Sequence, residues 1–579
     1  MKKQSMVAGV IFLSMAWGQL RADPPANAAA DPLGGAAPPS TPALDGADTA
    51  WMLIACGLVL LMIPGLALFY GGMVRRKNIL GTMMHSMVAL SLVGVQWVLI
   101  GYCLAFGKSL GGWVGWSPEF VGLSGVKPDA AFPGTKIPIY VHCMFQGMFA
   151  IITPALISGA LAERIRFLPY CLFVVLWTTL VYDPLAHWVW ALDAEGNAAG
   201  WLGKKGALDF AGGTVVHIAA GFSALAAIFV LPRRRGYPEH AMHPNGMVLT
   251  LTGAGLLWVG WFGFNGGSAL GSNAQAALAL ADTQAAAAAA GLAWLLVEWC
   301  HRGKPTALGL ASGIVAGLVA ITPASGYVSP ASAVLIGLAS GVGCCAAVYS
   351  KVIFKHDDSL DAFGVHGVGG LIGAILTGAL ASWSLWLAAT GKPAVTDNEP
   401  TAMGVITADF PSGLLEQVVV QIIAAVVAGG YGFLVTIVLV KLLDVTIGFG
   451  MPADEENIGT DRIEHGEVGF DYGLGASIDE VPETRPPEPK AATAPPNGQE
   501  RFTVVVEGAD EKELMEVWSR LCQAGSTHPP EFTAIYPQLT TVKGNRFRFR
   551  GGDHFNTRSN LKRLFEAELN TPLKTYIED

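Results

Sequence analysis

Between residues 49 and 445 the chain is built of long apolar blocks separated by short polar loops, while 446–579 hold a large share of its Asp, Glu, Lys and Arg. A membrane-crossing helix needs about 20 consecutive, predominantly apolar residues. Runs of that order lie at 50–72, 82–106, 138–160, 168–190, 210–232, 246–266, 274–298, 306–322, 328–350, 364–386 and 411–445. The pattern predicts an all-α polytopic membrane protein with eleven transmembrane helices and a soluble tail. The last run is longer than a span needs, so it tilts or extends into the cytoplasm.

Loop charge orients these spans, because basic residues stay on the cytoplasmic side. Arg75, Arg76 and Lys77 follow span 1, Arg164 and Arg166 span 3, and Arg233, Arg234 and Arg235 span 5; Arg302 and Lys304 follow span 7, and Lys351 and Lys355 span 9. Odd loops are therefore cytoplasmic. The expected location is the cell inner membrane, multi-pass, with a periplasmic N-terminus and a cytoplasmic C-terminus. The start of the chain agrees. Lys2 and Lys3 precede an apolar run from Met6 to Gly18 that is too short for a comfortable span, and Ala22 supplies a small residue for cleavage. Residues 1–22 thus read as a signal peptide. Residues 23–48, rich in Ala, Pro, Gly and Asp, read as a flexible periplasmic segment.

Composition narrows the classes further. Hydrophobic residues make up 52% of the chain and charged ones 14%, against about 25% charged in average usage. One soluble enzyme, a disordered chain and a collagen-like or disulfide-dense scaffold are excluded. A net charge of −9 argues against a nucleic-acid partner. The 71 glycines suit closely packed membrane helices. None of the eight cysteines has zinc-ligand spacing with His, and they read as buried small residues. No acidic cluster has metal spacing and no glycine loop with Lys cradles a phosphate, so no metal, no cofactor and no ATP-driven pump is expected.

Ionisable side chains at membrane depth are expensive and mark functional sites. Asp209 and His217 open span 5, and Asp358 and His366 open span 10; each Asp sits eight residues before its His. The two spans are five helices apart. With five helices per repeat, spans 1–5 and 6–10 run with opposite topology, the signature of an inverted repeat with its site near the midplane. Span 11 lies outside the repeat, and His217 and His366 are expected to meet in the bilayer centre. The competing reading for the carboxylates is capping of free helical N–H groups, and it is favoured for Asp358. Trp188 and Trp190 end span 4, where an interfacial belt is the usual role. Phe149 and Phe264 are core residues or pore plugs, and spacing alone favours the core.

Five motifs in order resemble the ammonium transporter (Amt/Mep/Rh) family, bacterial Amt type. They are Phe145-Gln146-Gly147-Met148-Phe149-Ala150, Gly159-Ala160-Leu161-Ala162-Glu163-Arg164, the Asp209 to His217 run, Gly260-Trp261-Phe262-Gly263-Phe264-Asn265 and Phe363-Gly364-Val365-His366-Gly367. The similarity runs from about Asp48 to about Tyr472 and implies a homotrimer with one pore per subunit. By motif, Phe149, Trp190 and Ser268 match the outer site that recruits ammonium, and Phe149 and Phe264 the stacked gate below it. His217 and His366 match the twin pore histidines, and Asp209 the acidic residue that supports recruitment and proton handling. The resemblance implies that ammonium is deprotonated, that ammonia passes the pore with separate proton transfer, and that two imidazoles sharing a hydrogen bond serve both as donor and acceptor. Met148 stands where a small residue is common, and Ala219 where Asn is frequent.

The expected organisation after the membrane domain at 49–445 is a cytoplasmic regulatory tail at 446–475, a linker at 476–500 and a small domain at 501–579. The resemblance implies a P-II-type trimeric regulator at the cytoplasmic face. The Ile458-Gly459-Thr460-Asp461 stretch departs from the usual tail pattern there. In 501–579, strands at 501–506, 532–536, 546–550 and 573–577 and helices at 512–522 and 559–569 suggest a ferredoxin-like α+β sandwich. Its eleven basic and eleven acidic residues give no net charge. The expected function is transport of ammonium, with membrane lipid as surroundings and no enzymatic activity. The rival reading is an ammonium sensor signalling through the C-terminal domain.

Overall fold

The computed structural model describes residues 44–240, 242–390 and 414–470, and those of 501–578 other than 508, 523–535, 537–538, 544, 551–553 and 570–572. The predicted signal peptide and linker lie outside the described residues. The chain divides into two compact units, residues 1–476 and 477–579.

Ten helices of the first unit are long and apolar enough to cross a membrane: Gly46–Met73, Arg76–Phe106, Ile139–Leu161, Phe167–Trp190, Gly213–Val230, Met247–Gly267, Ala274–Arg302, Pro330–Lys351, Phe363–Leu380 and Leu414–Ile447. The predicted eighth run is a helix of only 15 residues, Ala307–Ile321. Thr306 caps its start through the Gly309 amide, and Pro323, just beyond the C-cap Thr322, cannot continue it. Two further boundaries differ from the sequence pattern. The first helix begins at Gly46, inside the segment read as flexible, because the Asp45 carboxylate accepts the Asp48 N–H at 2.9 Å. The tenth span stops at Leu380, and Trp383–Thr390 forms a separate short helix, whose start is held by the Ser382 hydroxyl accepting the Leu385 N–H.

Glycine sets how closely the spans pack. Spans 1 and 6 meet backbone to backbone. A Cβ on Gly253 would come 2.4 Å from the Phe69 nitrogen, and one on Gly72 would come 2.5 Å from the Gly246 carbonyl. Small residues of this kind give membrane helices close contact, since lipid supplies no hydrophobic drive for helix association.

At one end of the spans, the loops predicted to be cytoplasmic are tied together by buried ion pairs. Glu163 meets Arg75 at 3.0 Å and Arg234 at 3.1 Å; Asp357 meets Arg164 at 3.1 Å and Arg234 at 2.7 Å. These four loops follow spans 1, 3, 5 and 9. Burial pushes the carboxyl groups of Glu163 and Asp357 up, but their arginines outweigh it and hold both below their ordinary values. The tail helices Ala453–Ile458 and Thr460–His465 dock on the same loops. Glu456 meets Arg75 and accepts the Arg235 N–H, Glu455 pairs with Arg166, and Asp461 accepts the Gly81 N–H at 2.9 Å. Between the two helices Gly459 has φ +109°, and a Cβ there would lie 2.5 Å from the Lys77 carbonyl. The Gly-Thr-Asp of the tail is thus a docking element.

The second unit has the order strand–helix–strand–strand–helix–strand. From edge to edge its sheet runs Leu539–Lys543, Arg546–Arg550, Arg501–Glu507 and Lys574–Glu578, every neighbouring pair antiparallel. Helices Glu511–Leu521 and His554–Leu569 bury Leu514, Trp518, Leu561 and Phe565 against Val504, Val506, Phe547 and Phe549. Of the strand predicted at 532–536 all but Tyr536 lies outside the described residues; the second described strand is Leu539–Lys543. Two β-branched threonines and a valine fill it, and it pairs with the next strand across a two-residue connection, the shortest hairpin link.

Removing one partner of a buried pair strands the other charge, at about 3–5 kcal/mol. Glu163→Ala is expected to lower unfolding stability in mixed micelles by that order. Because Glu163 and Asp357 are depressed, their stabilisation is complete above their ordinary values of 4.5 and 3.8. It is lost as pH falls through the lower folded values. An unfolding series from pH 7 to pH 3 should show wild type losing stability at the acid end and Glu163→Ala losing less.

Candidate conduction pathway

Spans 5 and 10 carry the two histidines, and each enters its helix in the same way. The Asp209 carboxylate accepts backbone N–H groups from Gly212, Thr214 and Val215 at 2.9–3.0 Å. The Asp358 carboxylate accepts those of Ala362, Phe363 and Gly364 at 2.9–3.3 Å. Each Asp thereby closes the free end of a wide π-helical turn, Gly213–Ile218 and Phe363–Gly367, that holds the histidine. Gly212, at φ +110°, supplies the left-handed residue before the first turn. The predicted run from 210 is therefore unwound as far as Gly212.

The two helices cross where side chains are absent. A Cβ on Gly221, one turn past His217, would lie 2.2 Å from the Gly367 nitrogen, next to His366. This approach brings the imidazoles to 5.3 Å between ring centroids, with planes 20° apart. Trp261 and Phe264 lie 5.5 Å and 6.1 Å from the His217 ring, also near parallel. Both nitrogens of His217 and Nδ1 of His366 lack a hydrogen-bond partner among the described residues. The shared imidazole hydrogen bond expected from the resemblance is thus not made in this structure. Otherwise the cavity around the pair is apolar, walled by Leu66, Ile152, Leu156, Leu257 and Val315.

Above this cavity lies a second, wider one that opens outward. Trp190, Phe149, Ser268 and Asp209 all line it. The Trp190 indole donates to the Asp209 carbonyl at 2.8 Å. The Ser268 hydroxyl donates to the Phe264 carbonyl at 2.9 Å, which commits its proton and leaves its lone pairs to accept from a ligand. Phe149 and Phe264 stack at 4.1 Å and 28°. Phe149 lines the outer cavity and Phe264 the inner one, so the pair is the partition between them. Spacing alone favoured core packing for both rings, and the geometry places them between the two cavities.

The outer cavity also contains Phe106, Phe132, His142, Gln146 and Tyr327, none of which sequence reasoning singled out. His142 and Gln146 carried a signal, as polar residues inside the apolar run of span 3. Trp188, read as an interfacial belt residue, is instead buried; its indole donates to the Trp113 carbonyl and its ring packs on Trp113 and Trp201. Asp358 stands with its neighbours Asp361 and Lys351, which form an ion pair, and not with the cavity that Asp209 lines. Among the described residues no group of His, Cys, Asp and Glu could hold a metal ion.

A bundle of membrane-length helices around two cavities, closed by an aromatic partition and ending at buried histidines, defines an integral, multi-pass membrane transporter. Comparison with known proteins names the class. A family model described as the Ammonium Transporter Family matches residues 50–470. The ammonium transporter of Mycobacterium tuberculosis (H37Rv) is 44% identical over 448 residues, covering 75% of this chain and 92% of that protein. The ammonium transporter of Bacillus subtilis is 44% identical over 426 residues, covering 73% and 98%. Among solved structures, Saccharomyces cerevisiae Mep2 aligns at a TM-score of 0.62 with 36% identity, over 71% of this chain and 89% of Mep2. A Sensor Amt Protein aligns at 0.64 with 29% identity, over 72% and 98%. The chain belongs to the ammonium transporter family.

The crossing at Gly221 makes a direct prediction. Gly221→Val should cost about 1–3 kcal/mol by overpacking and lower the melting temperature of the purified protein. Gly57→Val, where nothing lies within 4 Å of the added Cβ, should leave it unchanged.

Proposed function

We propose that this chain is an ammonium transporter of the cell inner membrane that separates its passenger from the passenger's proton. The observation that carries the reading is the order of the groups: an aromatic and hydroxyl vestibule, a stacked Phe pair, then two uncharged-walled histidines. In the vestibule the ring faces of Trp190 and Phe149 attract a small cation, and Ser268 accepts one of its N–H bonds. Among the described residues that line the inner cavity none carries a counter-charge. Carrying the cation through costs several kcal/mol at least, whereas neutral ammonia crosses and finds imidazole nitrogens that lack other partners. Asp209 supports recruitment by placing its carbonyl on Trp190, and its carboxylate is available for proton handling. His217 and His366 form the proton relay. Potassium has no proton to give up and is excluded.

The same reading takes Ala307–Ile321 as the eighth of eleven spans, spans 1–5 and 6–10 as an inverted repeat, and the protein as a homotrimer with its N-terminus periplasmic and its C-terminus cytoplasmic. The matched Asp-capped π-turns of spans 5 and 10 support the repeat. We take 501–579 as a ferredoxin-like regulatory domain, its strand order being the support, and the tail as a docking place for a P-II-type regulator. A second reading, an ammonium sensor, is favoured by that extra domain and by the similarity to the Sensor Amt Protein.

The test is current from proteoliposomes on a supported membrane after an ammonium jump. Wild type should give a saturable current, and His217→Ala with His366→Ala none; an undiminished current in the double variant would refute the relay. Ser268→Ala should raise the half-saturating concentration several-fold with little change in maximal current. Ammonium binding without current in wild type would favour the sensor.

A further inference from the structure

Asp183, in the fourth span, belongs to neither cavity wall, and it is fully buried. Its Oδ2 accepts the Nε2–H of Gln96 from the second span at 2.8 Å, and the same amide nitrogen reaches Thr179 Oγ1 at 3.1 Å. Its Oδ1 has no hydrogen-bond partner among the described residues. The same is true of Gln96 Oε1 and of the Tyr182 hydroxyl. Among the described residues Gln96 is its hydrogen-bond donor; the ionisable group one turn further along the same helix, His187, is engaged elsewhere, by Ser109 and the Ala105 carbonyl.

An ionised carboxylate with one amide donor is several kcal/mol out of place at membrane depth. A neutral acid is complementary to a carboxamide: the amide N–H meets one acid oxygen, and the acid O–H meets the amide oxygen. The first of these bonds is present. The two atoms that the second requires, Asp183 Oδ1 and Gln96 Oε1, are the two that lack a donor. The backbone is built around this pair. Gln96 immediately precedes one π-helical turn, Trp97–Gly101, and Asp183 immediately follows another, Thr178–Tyr182. Such turns collect at functional sites.

We propose that Asp183 is a proton-holding site, a neutral carboxylic acid whose O–H pairs with the amide oxygen of Gln96. The assignment does not depend on whether ammonium yields its proton in passage.

Infrared difference spectroscopy of the reconstituted full chain tests this. Wild type should show the C=O band of a protonated carboxyl that is absent from Asp183→Asn. A wild type without such a band, or the same band in Asp183→Asn, would overturn the assignment. A wild type that moves ammonium without charge would overturn the transport reading instead, and the band would still decide the state of Asp183.

Discussion

Charge left uncompensated inside a bilayer is costly, and that constraint orders the ionisable groups around the two cavities and at the loop end of the first unit. Arginines and carboxylates meet in closed pairs at the loops that join spans 1, 3, 5 and 9. Asp209 and Asp358 each face three backbone N–H groups at the mouth of a π-turn. Asp183 faces a carboxamide. The histidines, which can be neutral, are the ionisable groups that enter the apolar inner cavity. Among the described residues, a cavity lined this way has no charge to offer a cation beyond the Phe pair, and on that ground rests the proposal that the passenger leaves its proton behind.

The close crossing of spans 5 and 10 makes the arrangement possible. Were Gly221 and Gly367 to carry side chains, the helices would stand apart and the imidazoles would separate. The π-turns widen each helix locally, so that the histidine is presented by a segment whose first amides are already used by the preceding Asp. Packing and polar satisfaction are therefore the same device seen twice: the carboxylate that caps the turn also fixes where the ring points.

Much of this was legible in the chain. His217 and His366 stood out as ionisable residues in apolar runs, and their equal spacing from Asp209 and Asp358 tied the two halves together. Hydropathy located the membrane helices but not which face of each points inward, so it could not tell Phe149 and Phe264 from core residues, or Trp188 from a belt residue; only the family motifs implied a gate for the Phe pair. Asp183 and Gln96 carried the same signal as the histidines, a polar group at membrane depth, yet their pairing across two spans is invisible in one dimension. Glu163 and Asp357 were likewise readable as residues and not as partners of Arg234. The eighth helix fell short of span length because Pro323 ends it. The strand at Leu539–Lys543 was missed because alternation alone does not mark so short a stretch; its hairpin with Arg546–Arg550 does.

The central claim, that ammonia and its proton travel separately, is tested most directly by the charge moved per nitrogen. Isotope-labelled ammonium uptake and integrated current would be measured on the same proteoliposomes. The account predicts close to one elementary charge per nitrogen, with no current carried by potassium under the same gradient. A ratio near zero would mean that ammonia passes without its proton, and a comparable potassium current would mean that the intact cation crosses; either result would contradict it.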